Sequence, residues 1–291
     1  MVAIYSKIFD KRSTLIIHRL LDLFSKAGVD VFVHEPLYDF LLSQPVSAGK
    51  IAGIFRGHDD LLPATRFLVS LGGDGTFLNS IHIVRDSGIP VVGINLGRLG
   101  FLAHITETDL QESVEKLLAD QLSIEERTLI HATINGQPVD NFPYALNDLV
   151  IQKRTAGLIT VHTWCDNEYL NSYWADGLIV STPTGSSAYS VSVGGPIVVP
   201  ESQNFIISPI AAHNLNVRPL VIPDNVVLRL KTECRDNDQR FTLSLDSRSV
   251  VCASGTEIEI KRAGFKIKIV KSTSFYTTLR NKLMWGVDKR N

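Results

Sequence analysis

Apolar positions in the first part of the chain recur in two alternating periods. Val2 to Tyr5 reads as a strand, and Ile17, Leu20, Leu21 and Phe24 then share one helical face that Gly28 closes. Val29, Val31 and Val33 alternate with Asp30 and Phe32 as a second strand. Residues 36–65 carry no clear period and read as an irregular surface connection, or as a lid over a ligand. Phe67-Leu68-Val69 is a short buried strand, followed by Phe77, Leu78, Ile81 and Val84 at helical spacing. Ile89 to Ile94 is another buried strand, and Thr108-Asp109-Leu110-Gln111 fits a capping box opening a helix that runs to Asp120. This βαβ order predicts an α/β domain with a Rossmann-like parallel sheet, which takes ligands at the carboxyl ends of its strands.

Near Glu125 the period changes to two. Short alternating runs follow, with hairpin signals at Asn135-Gly136 and Asp166-Asn167. They continue through Val226–Leu230, Phe241–Leu245, Ile258–Ile260 and Ile267–Ile269, and predict an all-β, sandwich-like domain. Phe275 to Trp285 turns helical again and is expected to pack on the first domain. The expected division is residues 1–124, 125–272 and a C-terminal segment 273–291.

Bulk composition narrows the partners. The 291 residues suffice for two cores, and 44% hydrophobic with 20% charged residues is globular. A net charge of −1 supplies no field for nucleic acid or an anionic membrane. Three scattered cysteines, Cys165, Cys234 and Cys252, argue against a disulfide or zinc framework. Neither a signal-peptide core nor a membrane-length apolar run is seen, so the expected compartment is the cytoplasm. The basic positions Lys261, Arg262, Lys266, Lys268 and Lys271 read as a solvated strand face.

Three segments carry candidate chemistry. In Ser70-Leu71-Gly72-Gly73-Asp74-Gly75-Thr76, a strand enters a glycine turn that opens a helix, the usual geometry of a phosphate seat. Asp74 would repel phosphate unless its carboxylate accepts a proton or holds a hydroxyl; the alternative is a tight turn with an acidic cap. The second segment is Asn147-Asp148, an amide beside a carboxylate, able to donate to and accept from a ribose diol or merely to shape a turn. The third is Ala175–Pro196, where a buried strand meets a hydroxyl-rich turn and a helix of small residues. Such a surface suits a flat polar ring, with Tyr189 for stacking. Ser186 and Ser187 lack the G-x-S-x-G elbow of a nucleophile. A G-x-x-x-x-G-K-[ST] loop, a G-x-G-x-x-G fingerprint and metal-ligand spacing are all missing from the sequence. His213, in an H-x-L-x-x-R-P-L type of run, reads as a hydrogen-bonded loop residue.

Taken in order, GGDGT, the Asn-acid pair, the DGL-x-x-STPTGS-[ST]-AY run ending in GGPI, the late F-x-L-S-x-D and the tail Tyr276–Leu283 resemble the NAD kinases. GGDG alone is shared with diacylglycerol-type lipid kinases and more loosely with phosphofructokinases. The resemblance implies phosphoryl transfer from ATP to the adenosine-ribose 2′-hydroxyl of NAD, yielding NADP, at a site to which both domains contribute. It implies Asp74 as general base, with Gly72, Gly73, Gly75 and Thr76 at the ATP phosphates and Mg²⁺ bound with ATP. For NAD it implies Gly75, Phe101, Asn147, Asp148, Asp176, Thr184, Ser187, Ala188, Tyr189, Ser192, Asp246 and Arg248, and no protein metal ligands.

Family members are usually dimers or tetramers, so a homo-oligomer is implied, with the β-rich domain as contact surface. The alternatives are a lipid kinase with the same turn and a non-catalytic dinucleotide-binding regulator. Three departures stand out: Asp148 where the family usually has Glu, Ser187 for the commoner Thr, and Trp174 near an arginine of some relatives. The first shortens the reach by one methylene and favours a longer or water-mediated bond; the choice between NAD and NADH stays open.

Overall fold

A computed structural model describes the chain except residues 8, 45–50, 98–99, 236–237 and 287–291, and the side chains of Lys11 and Arg12. It divides into two compact units: Met1–Glu126 with Ile267–Asn291, and Arg127–Lys266.

The first unit alternates strands and helices: β1 Val2–Ser6, α1 Lys11–Lys26, β2 Val31–His34, α2 Glu35–Leu42, β3 Gly53–Phe55, β4 Phe67–Gly72, α3 Asp74–Val84, β5 Val91–Asn95 and α4 Leu110–Leu118. The strands form a parallel sheet in the order β5-β4-β1-β2-β3, and Ile269 adds to its edge beside Val91. Ile17, Leu20, Leu21 and Phe24 of α1 are buried against Val2, Ile4, Val31, Val33 and Val69. Each such side chain contributes about 1.5–3 kcal/mol through its removal from water. Asp10 caps α1 by accepting the Ser13 N–H at 2.7 Å.

Two expectations are corrected here. The span 36–65 is not irregular throughout: it holds most of α2, then β3 and a short 3₁₀ turn at His58–Asp60. Its signal was weak because α2 has only two turns and β3 three residues; the part at 45–50 lies outside the described residues. The capping box at Thr108 does not form. Asp109 precedes α4 without a side-chain cap, Thr108 bonds Thr106 and Asp109, and Gln111 reaches forward to Glu115.

The second unit is all-β. Its strands are most of β6 Ser123–Ile134, then β7 Gln137–Pro138, β8 Tyr144–Ala145, β9 Asp148–Lys153, β10 Ile159–Cys165, β11 Glu168–Ala175 and β12 Gly177–Ser181. After α5 Tyr189–Ser192 come β13 Asn204–Ile210, β14 Leu220–Pro223, β15 Leu228–Cys234, β16 Arg240–Leu245, β17 Arg248–Ala253 and most of β18 Glu257–Lys271. Two antiparallel layers result, β11-β10-β15-β18 and β14-β13-β12-β9-β16-β17. Val161, Leu228, Leu230 and Ile260 of one layer share a core with Leu178, Val180, Phe205 and Leu243 of the other, which makes the sandwich. The turns at Asn135-Gly136 (φ +48° and +77°) and Asp166-Asn167 (φ +48° and +80°) both lie in the left-handed region that two-residue hairpins need.

The small-residue helix after Thr182 is shorter than its sequence suggests: a 3₁₀ turn at Thr184–Ser187 and then α5, one turn long. Serines bonding to nearby backbone disfavour a longer helix. Ile258–Ile260 and Ile267–Ile269 belong to the single strand β18. Finally α6, Phe275–Leu283, lies in the first unit.

Candidate functional site

The turn after β4 places Gly73 as the N-cap of α3 and Asp74 as its first residue. The N–H groups of Asp74 and Gly75 therefore lack intrahelical acceptors and sit at the positive end of the helix. Asp74 does not cap its own helix. Its carboxylate accepts the N–H groups of Phe101 (2.8 Å), Leu102 (3.0 Å) and Ala103 (3.2 Å) from the connection after β5. A Cβ on Gly100 would lie 1.9 Å from Asp74 Oδ1, so that connection closes on the acid only with glycine there. Lys282 of α6 reaches Asp74 Oδ2 at 3.6 Å and lies 4.9 Å from the centroid of the Phe101 ring. The site thus contains a fixed, oriented carboxylate at a helix N-terminus. Gly75 is exposed and Gly73 open above it, whereas Thr76 is buried and its side chain folds against Gly72.

In the second unit, Asn147 and Asp148 are held from a distant turn. Asp246, at φ +51° between β16 and β17, accepts the N–H groups of Leu146 (2.9 Å), Asn147 (2.8 Å) and Asp148 (3.3 Å). Its own N–H donates to the Asp148 carbonyl at 3.0 Å. Its carboxylate shapes the turn beneath the pair.

Arg248 is likewise engaged. Its guanidinium donates to Asp140 and to the carbonyls of Phe142 and Tyr144, and lies over the Phe142 ring. It braces the loop before Asn147. Asp148 is buried, and burial, reinforced by the neighbouring Asp246 charge, pushes its pKa up to about 7. Burial also raises Asp246, opposed by the three N–H donors and by Arg248.

The hydroxyl-rich turn packs directly on this pair. The Asn147 carbonyl accepts the Thr182 N–H at 2.9 Å, and Thr182 Oγ1 donates to the Leu146 carbonyl at 2.5 Å. A Cβ on Gly185 would lie 2.0 Å from the Asn147 oxygen. Most of the hydroxyls serve the fold. Ser186 bonds Pro183 and Val198, Ser190 bonds Ser208, and buried Thr184 accepts from Arg127 Nη1 at 3.4 Å. Ser187 and Ala188 are half-buried, and Tyr189 and Ser192 are exposed, so these four form the accessible part. Asp176 pairs with Lys153 at 2.6 Å. His213 is exposed, and its backbone N–H donates to the Trp174 carbonyl at 2.7 Å. Of the basic strand face, Arg262 pairs with Asp224 at 2.9 Å and Lys271 with Glu125.

Lys282, Gly100, Lys153 and Arg127 had no place in the sequence reading. A cation in the tail motif and a glycine immediately before the acid's backbone donors carried no local signal of their partners.

A glycine turn with a fixed acid lies in the α/β unit and an amide–carboxyl pair lies beneath a small-residue turn in the β sandwich, and the matches that follow place these features in a class of nucleotide-dependent phosphotransferases. Residues 62–122 match the ATP-NAD kinase N-terminal domain and residues 146–272 the ATP-NAD kinase C-terminal domain. The chain is similar to the NAD kinase of Cytophaga hutchinsonii, at 41% identity over 99% of each chain. It is also similar to that of Flavobacterium psychrophilum, at 40% identity over 100% of this chain and 99% of the relative. The chain belongs to the NAD kinase family. In fold it resembles yeast NADH kinase complexed with NADH (TM-score 0.87, 24% identity, 99% of this chain and 88% of that one). It also resembles an NAD kinase from Archaeoglobus fulgidus in complex with ATP (TM-score 0.75, 24% identity, 97% and 98%).

Proposed function

We propose that this chain transfers the γ-phosphoryl group of ATP to the adenosine-ribose 2′-hydroxyl of NAD, giving NADP, with Asp74 orienting and deprotonating that hydroxyl. The observation that carries the reading is the placement of Asp74 at the N-terminus of α3, fixed by three backbone N–H groups. The three donors fix the carboxylate in orientation toward the hydroxyl. It accepts the proton late, once bond formation to phosphorus has made the ribose oxygen acidic. The open N–H groups at Gly73–Gly75 suit ATP phosphates. Asn147, Asp148, Asp176, Ser187, Ala188, Tyr189 and Ser192 are the proposed NAD-binding set, with Asp246 and Arg248 supporting them.

Mg²⁺ enters with ATP. Among the described residues, three His, Cys, Asp or Glu side chains do not gather as metal ligands, and kinase Mg²⁺ is held largely by substrate phosphates and water. The cytoplasm suits a chain with three thiols, and no described helix is long and apolar enough to cross a membrane. Exposed Tyr169, Trp174, Leu220 and Val221 support a homo-oligomeric contact through the second unit, which light scattering tests.

The assay incubates the protein with Mg·ATP and, side by side, NAD, NADH and diacylglycerol. The expected product is NADP or NADPH. Phosphorylated lipid without either refutes the reading. Asp74→Asn is expected to lower kcat by about 10²–10⁴-fold while sparing NAD binding.

A further inference from the structure

We propose that Lys282 is a phosphate-binding residue of the reaction: the cation that the glycine-rich turn lacks, delivered to the ATP phosphates beside Asp74 by the C-terminal helix. This rests on the functional reading above and adds a residue to it. Phosphoryl transfer depends on positive charge placed at the transferred oxygens, and other phosphate loops supply a lysine for it. The turn Ser70–Thr76 contains an acid and neither lysine nor arginine. Its Asp74 adds a charge that repels the ligand.

Lys282 meets that need from the far end of the chain. Its Nζ is 3.6 Å from Asp74 Oδ2 and 4.9 Å from the Phe101 ring centroid, while the Phe101 N–H itself donates to Asp74. One residue therefore holds both the acid and the ammonium. The 3.6 Å separation exceeds that of a charge-assisted hydrogen bond, about 2.7–2.9 Å, so the ammonium keeps donors for another anion. The two side chains are 32% and 29% exposed, open enough for phosphate to reach both. The helix that carries Lys282 is anchored: Ser274 accepts the Thr277 N–H at 3.2 Å, and Thr278 and Leu279 are buried. A partly exposed pair at this distance contributes little to folding.

The test compares Lys282→Met and Lys282→Arg by calorimetric titration with Mg·ATP and separately with NAD, with steady-state kinetics and thermal melting alongside. Lys282→Met is expected to weaken Mg·ATP binding by about tenfold or more, to raise KM for ATP in parallel, and to leave NAD affinity within about twofold. Its melting temperature stays that of the wild type, and Lys282→Arg recovers most of the lost affinity. Unchanged Mg·ATP affinity in Lys282→Met overturns the proposal. So does an equal loss for NAD, or a lowered melting temperature without rescue by arginine. A wild-type chain that binds Mg·ATP yet makes no NADP overturns the functional reading instead, and the calorimetry still decides the role of Lys282.

Discussion

Asp246 accepts the backbone N–H of Asn147 at 2.8 Å, a bond spanning 99 residues of chain. The same carboxylate takes the N–H groups on either side, so the entry to β9 has one distant acceptor for three donors. Asp246→Ala leaves those donors unmet, each costing about 1–3 kcal/mol if still buried. We expect a clear loss of stability in urea and a KM for NAD raised about tenfold or more, with KM for ATP little changed. Asp246→Asn keeps one carbonyl acceptor and is expected to fall between the two. A variant with normal KM for NAD would remove Asp246 from the positioning of the pair.

Gly185 tests the contact between the hydroxyl-rich turn and Asn147. A methyl group there meets the Asn147 carbonyl at 2.0 Å, and this obstacle is backbone, not a flexible side-chain end. Gly185→Ala is expected to cost about 1–3 kcal/mol and to weaken NAD binding by displacing the Asn147 turn. Equilibrium unfolding and NAD titration on one preparation measure both effects. Unaltered NAD affinity would separate the two motifs functionally.

Asp148 gives a pH signature whose sign is opposite to that of an ordinary surface acid. Its carboxyl is raised from 3.8 to about 7 in the folded chain, first by burial and then by Asp246. Between those values the folded state holds a proton that the unfolded chain has released, so stability falls as pH rises from about 4 to about 7. The slope from one such group is at most about 1.4 kcal/mol per pH unit. Asp148→Asn removes this component, and its stability–pH curve should be flatter than the wild type across that window. Parallel curves would refute the raised carboxyl.

Much of this architecture was determined by the sequence itself, because its causes are local. The 3.6-residue period of Ile17, Leu20 and Phe24, the hairpin chemistry of Asn135-Gly136 and Asp166-Asn167, and the glycine turn before Asp74 each depend on a few neighbouring residues. The site residues were legible as types in an order, which was enough to bring Asp74, Asn147, Asp148 and the Thr182–Tyr189 turn into view. Their work was not. Whether Asp74 caps its helix or serves as a held acid depends on Phe101, Leu102 and Ala103, which a second connection brings to it. Which donors Asp246 meets depends on residues up to 100 positions away. A carboxylate bonds whichever donors tertiary folding delivers, and short polar side chains leave no periodic trace of that choice. The tertiary structure alone decided which backbone each acid holds, and that Lys282 stands beside Asp74.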